Sequence, residues 1–395
     1  MRQSYFRRDF EWHLLLLSFC LTLIGIAFIW SSTRDSLLFA GKPIAQAVFT
    51  GVAVPVLLVI FRVGYLNIKT LAYPAYGTVL FLLVFLQATG GSGQQAIRWF
   101  DLGFGLKLQP SEFMKVTLVL ALARYLMYKR DWFSFSGLVM PFAMTLTPMV
   151  LIAIQPDLGT ALLFLPVLFG MLYIAGARTG HLLALIAAGI VLLPMLYNSP
   201  LVKDYQKERV TSFLQRIPGL QRTAEDLYQQ GKKREARQLE ERIRQLKQGI
   251  GYQQYFSQVS IGSGGGWGQG FGSGPQNRLN YIPESHTDFI FAIIGEEWGF
   301  LGSSTLLVLY LLTVAIIFGI AKRTREPFGR YVCCGVGILI GFQVVVNTAI
   351  AVGLLPIAGL TLPFVSYGGS SLITSFIAVG LVLDVGARRV RELGR

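Results

Sequence analysis

Ten long apolar stretches recur along this chain, at residues 14–30, 44–63, 71–88, 113–128, 138–154, 158–175, 182–197, 303–320, 332–352 and 372–385. A bilayer core about 30 Å thick takes roughly 20 helical residues to cross. Lipid offers backbone groups no hydrogen bonds, so a segment seated there must be a helix or part of a closed barrel. Segments this long without strict alternation read as helices. Only 14% of the residues are charged, against about 25% in soluble domains. The fold class is therefore an all-α polytopic membrane protein of about ten transmembrane helices, with a large extracytoplasmic loop between spans 7 and 8.

Basic residues set the orientation. Arg2, Arg7 and Arg8 precede the first stretch, and alternate short loops and span ends carry Arg62, Lys69, Arg124, Lys129, Arg130, Arg178, Lys322, Arg323, Arg325 and Arg330. Arg388, Arg389, Arg391 and Arg395 follow the last stretch, whereas the opposite loops hold only Arg34, Lys42, Arg98 and Lys107. This bias places both termini in the cytoplasm. It also accounts for most of the net charge of +14, so nucleic acid is not needed as a partner. The first stretch is longer than a signal-peptide core and lacks a small-residue cleavage site, which predicts a retained helix. Cys20, Cys333 and Cys334 fall inside apolar stretches and make no disulfide framework.

The chain reads as one membrane domain, 1–395, elaborated by the external loop 198–286. A charged helical insertion near 221–250 places Leu239, Ile243, Leu246 and Ile250 at helical spacing, the pattern of an amphipathic helix on a membrane or partner; a solvated insertion without a role reads equally well. After it comes "IGSGGGWGQGFGSGPQN". Such a segment could bring backbone N–H groups to an anion or serve as a hinge. It is no Walker loop, because no Gly-Lys-Ser/Thr follows.

The stretch "NYIPESHTDFIFAIIGEEWGFLG" sets Glu284, His286 and Asp288 before an apolar run and Glu296 and Glu297 within it. A charge at the bilayer centre costs on the order of 2.5–3.5 kcal/mol on insertion scales, so Glu296 and Glu297 should face protein. They read as buried supports or as partners of a buried cation. Asp288 reads either as a helix cap or as a reacting group. Gly299 and Gly302 offer a place to bend. Arg98, Glu112 with Lys115 three residues later, and Asp157 sit at other span entrances on the same predicted face. A local ion pair and a cap would explain the last three. Together, cations and carboxylates at one interface suit a phosphate-bearing substrate that needs proton transfer.

The ordered motifs "IRWF…QPSEFMK", "QPDLGTA", "IGSGGGWGQG", "PESHTDFIFAIIGEEWGF" and "GLLPIAGLTLPFVSYGGSS" resemble the SEDS proteins (shape, elongation, division and sporulation) over nearly the whole chain. Short termini resemble the RodA-type elongation branch more than the FtsW-type division branch. The resemblance implies a peptidoglycan glycosyltransferase of the bacterial cytoplasmic membrane that polymerises lipid II during elongation and shape maintenance. It implies Asp288 as the catalytic residue and Arg98, Glu112, Lys115 and Asp157 as substrate-binding residues. It also implies a class B penicillin-binding protein and the elongation machinery as partners, besides membrane lipids.

The expected chemistry makes Asp288 the base for the acceptor C4 hydroxyl, with undecaprenyl pyrophosphate as leaving group, a β-1,4 link and inversion. Arg98, Lys115 and Arg209 would hold the pyrophosphate. A divalent cation, Mg2+ or Mn2+, could share that work; no organic cofactor is called for. This chain departs from the family pattern by the insertion between Leu214 and Gly251, and by Gly274-Pro275-Gln276 where relatives have Gly-Thr-Gln. The competing reading is a flippase for the same lipid-linked precursor, and a blander one is a membrane scaffold.

Overall fold

In the computed structural model the described residues are 11–34, 39–89, 98–101, 103, 107–128, 135–155, 157–197, 250–279, 282 and 285–388, with scattered positions between 207 and 237. The chain runs α1 Trp12–Thr33, α2 Lys42–Val63, α3 Tyr65–Thr89, β1 Phe100–Asp101, β2 Lys107–Leu108, α4 Pro110–Tyr128, α5 Phe135–Ile154, α6 Leu158–Ala175 and α7 Thr179–Tyr197. It continues with α8 Ile250–Gly264, α9 Pro275–Arg278, α10 Ile290–Arg323, α11 Pro327–Ala351 and α12 Gly369–Arg388. Eight of these helices, α1, α2, α3, α5, α6, α10, α11 and α12, are long and apolar enough to cross a membrane. Eight of the ten stretches thus meet this length and composition among the described residues. α7 contributes only a shorter apolar segment, Thr179–Leu192. α4 carries Glu112, Lys115 and Arg124 and is buried along most of its length. A helix surrounded by other helices need not present an apolar face to lipid, which is why its charges survive there. The insertion expected near 221–250 falls largely outside the described residues.

The chain divides into two compact units. The first comprises Met1–Leu183, Thr305–Val345 and Gly359–Arg395. In it α4 packs against α3, α5, α6 and α12, and α12 lies along α2. The α2–α3 junction shows how polar groups are settled in this unit. Gly64 turns the chain at φ 80°, where a side chain would be strained. The Tyr65 N–H freed by that turn donates to Asp384 Oδ2 at 2.6 Å. Arg388 donates to Asp384 Oδ1 at 2.7 Å and to the Phe61 carbonyl at 2.6 Å. Asp384 is buried, so Asp384→Ala orphans a backbone donor and loosens the end of α2. We expect a loss of about 1.5–3 kcal/mol, the range for hydrogen bonds to a charged group. Asp384→Asn, which keeps an acceptor, should lose less; thermal unfolding in detergent reads both.

The segment from Gly359 to Gly369 is held in the same unit by buried polar side chains. Gln46 donates to the Ser366 carbonyl at 3.1 Å and accepts from the Gly368 N–H at 3.2 Å. Gln343 donates to the Thr361 carbonyl at 2.8 Å, and the Tyr310 hydroxyl donates to the Pro363 carbonyl. These bonds satisfy an irregular backbone that a membrane would otherwise penalise.

The second unit comprises Ala184–Ser304 and Val346–Ala358. Its core gathers Ile282, Phe289, Ala292, Ile350 and Ile357. α8 closes the end of α11. Gln254 donates to the Ile350 carbonyl at 3.0 Å and the Leu355 carbonyl at 2.6 Å, and Ser257 to the Ala351 carbonyl at 2.8 Å. The Ile350 and Ala351 carbonyls are among those a helix C-terminus leaves without intrahelical partners.

Candidate functional site

Four expected site residues, Arg98, Glu112, Lys115 and Asp157, gather around the start of α4 and α6 in the first unit. Asp157 is the N-cap of α6: its Oδ1 accepts from the Thr160 N–H at 3.3 Å. Its other oxygen accepts from Gln109 Nε2 at 3.2 Å and Ser111 Oγ at 3.3 Å. Burial raises the Asp157 carboxyl above the usual range, and the nearby Arg98 guanidinium pulls it back down. Arg98 and Asp157 are therefore electrostatic neighbours.

Gln109 is the hub of this face. Its N–H donates to Ser370 Oγ at 3.0 Å, and Ser370 Oγ donates to the Lys107 carbonyl at 3.0 Å. Its Oε1 accepts from the Trp99 indole at 3.1 Å. The β1–β2 pairing, Phe100 with Leu108 and Asp101 with Lys107, brings Trp99 and Gln109 together. That hairpin is the one departure from an all-helical chain among the described residues.

One turn into α4, Lys115 Nζ lies 2.7 Å from Glu112 Oε2, and both side chains are buried. The i,i+3 spacing puts them on one helix face. A small cavity adjoins the pair, lined also by Gln343, Pro363, Thr374 and Ser375. Glu112, Lys115 and Asp157 thus have protein partners, so a substrate reaching Lys115 would share it with Glu112.

Asp288 and Arg209 lie in the second unit, and both are tied to Val346–Ala358. Arg209 donates to the Ile357 carbonyl at 3.3 Å. Asn347 Nδ2 donates to the Asp288 carbonyl at 2.9 Å. Asp288 is not inside a helix: it occupies the turn 285–289 just before α10. Its neighbour Phe289 is 1% exposed and fixed in the core, while Asp288 itself is half-buried. Phe289 and Asn347 hold the backbone at Asp288, and the half-buried residue keeps part of its surface open, as a positioned base requires.

Glu296 and Glu297 are fully buried. The glycine-rich segment supplies their hydrogen-bond donors. Gln276 N–H donates to Glu296 Oε1 at 2.7 Å, Gly272 N–H to Glu297 Oε2 at 2.9 Å, and Asn277 Nδ2 to Glu297 Oε1 at 3.0 Å. The backbone carbonyls of the same two glutamates accept from Gln269 at 2.9 Å and Gly270 at 3.0 Å. Gln269, Gly270, Gly272 and Gln276 thus spend their N–H groups on α10, so the segment is a strap rather than an anion cradle or a hinge. Pro275, the departure from the family pattern, stands at N1 of α9, where a missing N–H costs nothing. α10 bends at Gly299, with φ 64° and ψ −159°.

Sequence reasoning missed Asn347, Ser370, Gln343 and Gln254. The readable signal was in α11, where Gln343 and Asn347 interrupt the apolar run four residues apart and so share one face. Among the described residues, no three His, Cys, Asp or Glu side chains form a metal-holding group. These residues do not make a protein cage for a divalent ion.

A family model described as a cell cycle protein, spanning FtsW, RodA and SpoVE, matches residues 11–390. A protein of Geobacter sulfurreducens named probable peptidoglycan glycosyltransferase FtsW is 34% identical over 387 residues, covering 95% of this chain and 94% of its own. Among solved structures, a chain of a peptidoglycan synthase complex that coordinates polymerization and crosslinking is similar with TM-score 0.77 and 31% identity. That likeness covers 97% of this chain and 99% of the other. The Thermus thermophilus rod shape determining protein RodA is similar with TM-score 0.67 and 29% identity, over 97% of this chain and 98% of its own.

Proposed function

Since the chain belongs to the FtsW, RodA and SpoVE family of multi-pass membrane proteins, we propose that this peptidoglycan glycosyltransferase polymerises lipid II into glycan strands. The observation that carries the reading is the setting of Asp288, a half-buried residue on a backbone held by Phe289 and Asn347. Asp288 takes the proton from the C4 hydroxyl of the acceptor sugar. That oxygen forms a bond to the anomeric carbon of the donor as the bond to undecaprenyl pyrophosphate breaks, which inverts the centre and gives a β-1,4 link. Lys115, Arg98 and Arg209 meet the charge of the leaving pyrophosphate. Glu112 orients Lys115, and Asp157 orients Arg98. A Mg2+ or Mn2+ ion would supply charge neutralisation to the leaving oxygens. Among the described residues no three His, Cys, Asp or Glu side chains cluster to hold it, and no step depends on it here.

The reaction lies on the outer face of the bacterial cytoplasmic membrane, with ten spans and both termini inside. A class B penicillin-binding protein supplies the cross-linking, a partnership in keeping with the similar chain in a peptidoglycan synthase complex. The cellular role proposed is elongation, from the likeness to a rod shape determining protein. Depletion should then give rounded cells; filaments would assign the chain to division, the role that the FtsW name of its relatives carries. The competing flippase is tested by reconstituting the chain in vesicles with labelled lipid II. Polymer formation supports the transferase, and transbilayer movement without polymer supports the flippase.

A further inference from the structure

Residues 248–277 contain no Asp, Glu, Lys, Arg or His. The chain immediately before them, 203–247, is dense in charge. Thirty uncharged residues are an odd component of a solvated loop, and the way they are fastened gives them a place.

α10 ends on Lys322 and Arg323. Counting back from there across about 30 Å of hydrocarbon, at about 1.5 Å per residue, reaches the neighbourhood of Leu301. Phe300 and Leu301 thus stand at the membrane boundary opposite those two cations. The bend at Gly299 turns their N–H groups away from the helix, and the glycine-rich strap takes them. Phe300 N–H donates to the Gly265 carbonyl at 2.8 Å, and Leu301 N–H to the Gly266 carbonyl at 3.1 Å. The next residue of the strap is Trp267, which is therefore carried at the same level.

The fastening is close because both partners are glycine at four-residue spacing, Gly264 and Gly268 on the strap and Gly295 and Gly299 on α10. A Cβ at Gly264 would strike the Gly295 carbonyl, and one at Gly268 would strike the Glu297 carbonyl. Small residues that let backbones approach in this way are typical of contacts inside membranes. The Glu296 and Glu297 bonds described above settle strap amides that lipid could not.

This rigid strap shows its apolar side chains outward. Trp267 is 85% exposed and Phe300 72%. Phe271, Leu279, Trp298 and Leu301 are exposed beside them in sequence. Trp concentrates where headgroups meet acyl chains, and exposed Phe and Leu beside it supply the apolar face that an interfacial segment buries there. Arg278, exposed beside Leu279, is the one charged side chain of 264–279, and a cation at this boundary suits phosphate headgroups.

We propose that residues 264–279, together with Trp298–Leu301, form a membrane-interface anchor whose Trp267 and Phe300 insert at the headgroup–acyl boundary. The occupant is bilayer lipid, so part of the loop between α7 and α10 lies in the interface rather than in water. Its seating does not depend on which reaction the chain performs.

The test is depth measurement by spin label on the full chain in lipid nanodiscs of phosphatidylethanolamine and phosphatidylglycerol. Cys20, Cys333 and Cys334, all free thiols, are replaced by alanine. A single label is then introduced by Trp267→Cys or, independently, by Phe300→Cys. Arg234→Cys, at an exposed position in the charged segment, serves as the water reference. The expected result is collision with oxygen several-fold above collision with a water-soluble nickel chelate at 267 and at 300, with the reverse at 234. Nickel access at 267 and 300 equal to that at 234 would overturn the proposal. Protection from both reagents would overturn it as well, by revealing a second copy of the chain over the patch. Each labelled site reads the answer alone, so failure of one variant to fold leaves the other decisive.

Discussion

Asp288→Asn is expected to lower polymer formation from lipid II by about 10²–10⁴-fold, the range that a positioned general base contributes. The substitution is nearly isosteric. The Asn347 amide donates to the Asp288 backbone carbonyl, a contact that Asp288→Asn keeps. Phe289 stays in its core with Ala292, Ile350 and Ile357. Thermal unfolding and co-purification with the penicillin-binding protein should therefore match wild type while turnover collapses. A fall of less than about tenfold would remove Asp288 from the proton transfer, since a base contributes more than that. Equal losses in turnover and unfolding temperature would make it a structural residue.

The second large effect concerns Lys115. Its partner Glu112 is buried beside it at 2.7 Å, so Lys115→Met leaves a carboxylate with no compensating charge. Breaking a buried pair from one side costs about 3–5 kcal/mol, whereas removing both charges is often neutral. Lys115→Met alone should thus unfold well below wild type, and Lys115→Met with Glu112→Leu should recover most of that stability. Turnover separates the two roles assigned to Lys115. If it meets the leaving pyrophosphate, the double variant is stable and still inactive. Recovery of turnover together with stability would reduce the pair to a structural ion pair.

How far the chain could be read before folding depended on which force placed each residue. Membrane helices follow from apolar length, so the stretches at α1 to α3, α5, α6 and α10 to α12 were legible without a template. α4 was also read as a span, and its charges Glu112, Lys115 and Arg124 sit on a helix that protein encloses along most of its length. Cap and pair assignments depend on local spacing, and Asp157 with Thr160 and Glu112 with Lys115 appear as their spacing implies. The destination of Glu296 and Glu297 could not be read in this way. Their partners, Gly272, Gln276 and Asn277, lie about 20 to 25 residues upstream, and glycine-rich sequence carries no pattern that names a partner. The same holds for Asn347, whose bond to Asp288 spans 59 positions. The order of motifs pointed to the family, while the clamps around each motif are tertiary facts.

The most direct measurement starts from labelled lipid II and the purified chain with the penicillin-binding protein proposed as its partner, whose cross-linking is blocked by a β-lactam. The product is separated by size and digested with a muramidase that cuts β-1,4 links. The expected result is a ladder of long strands that the enzyme reduces to disaccharide units, with none formed by Asp288→Asn. Lipid II that never lengthens, or a polymer that resists the muramidase, would contradict the assignment.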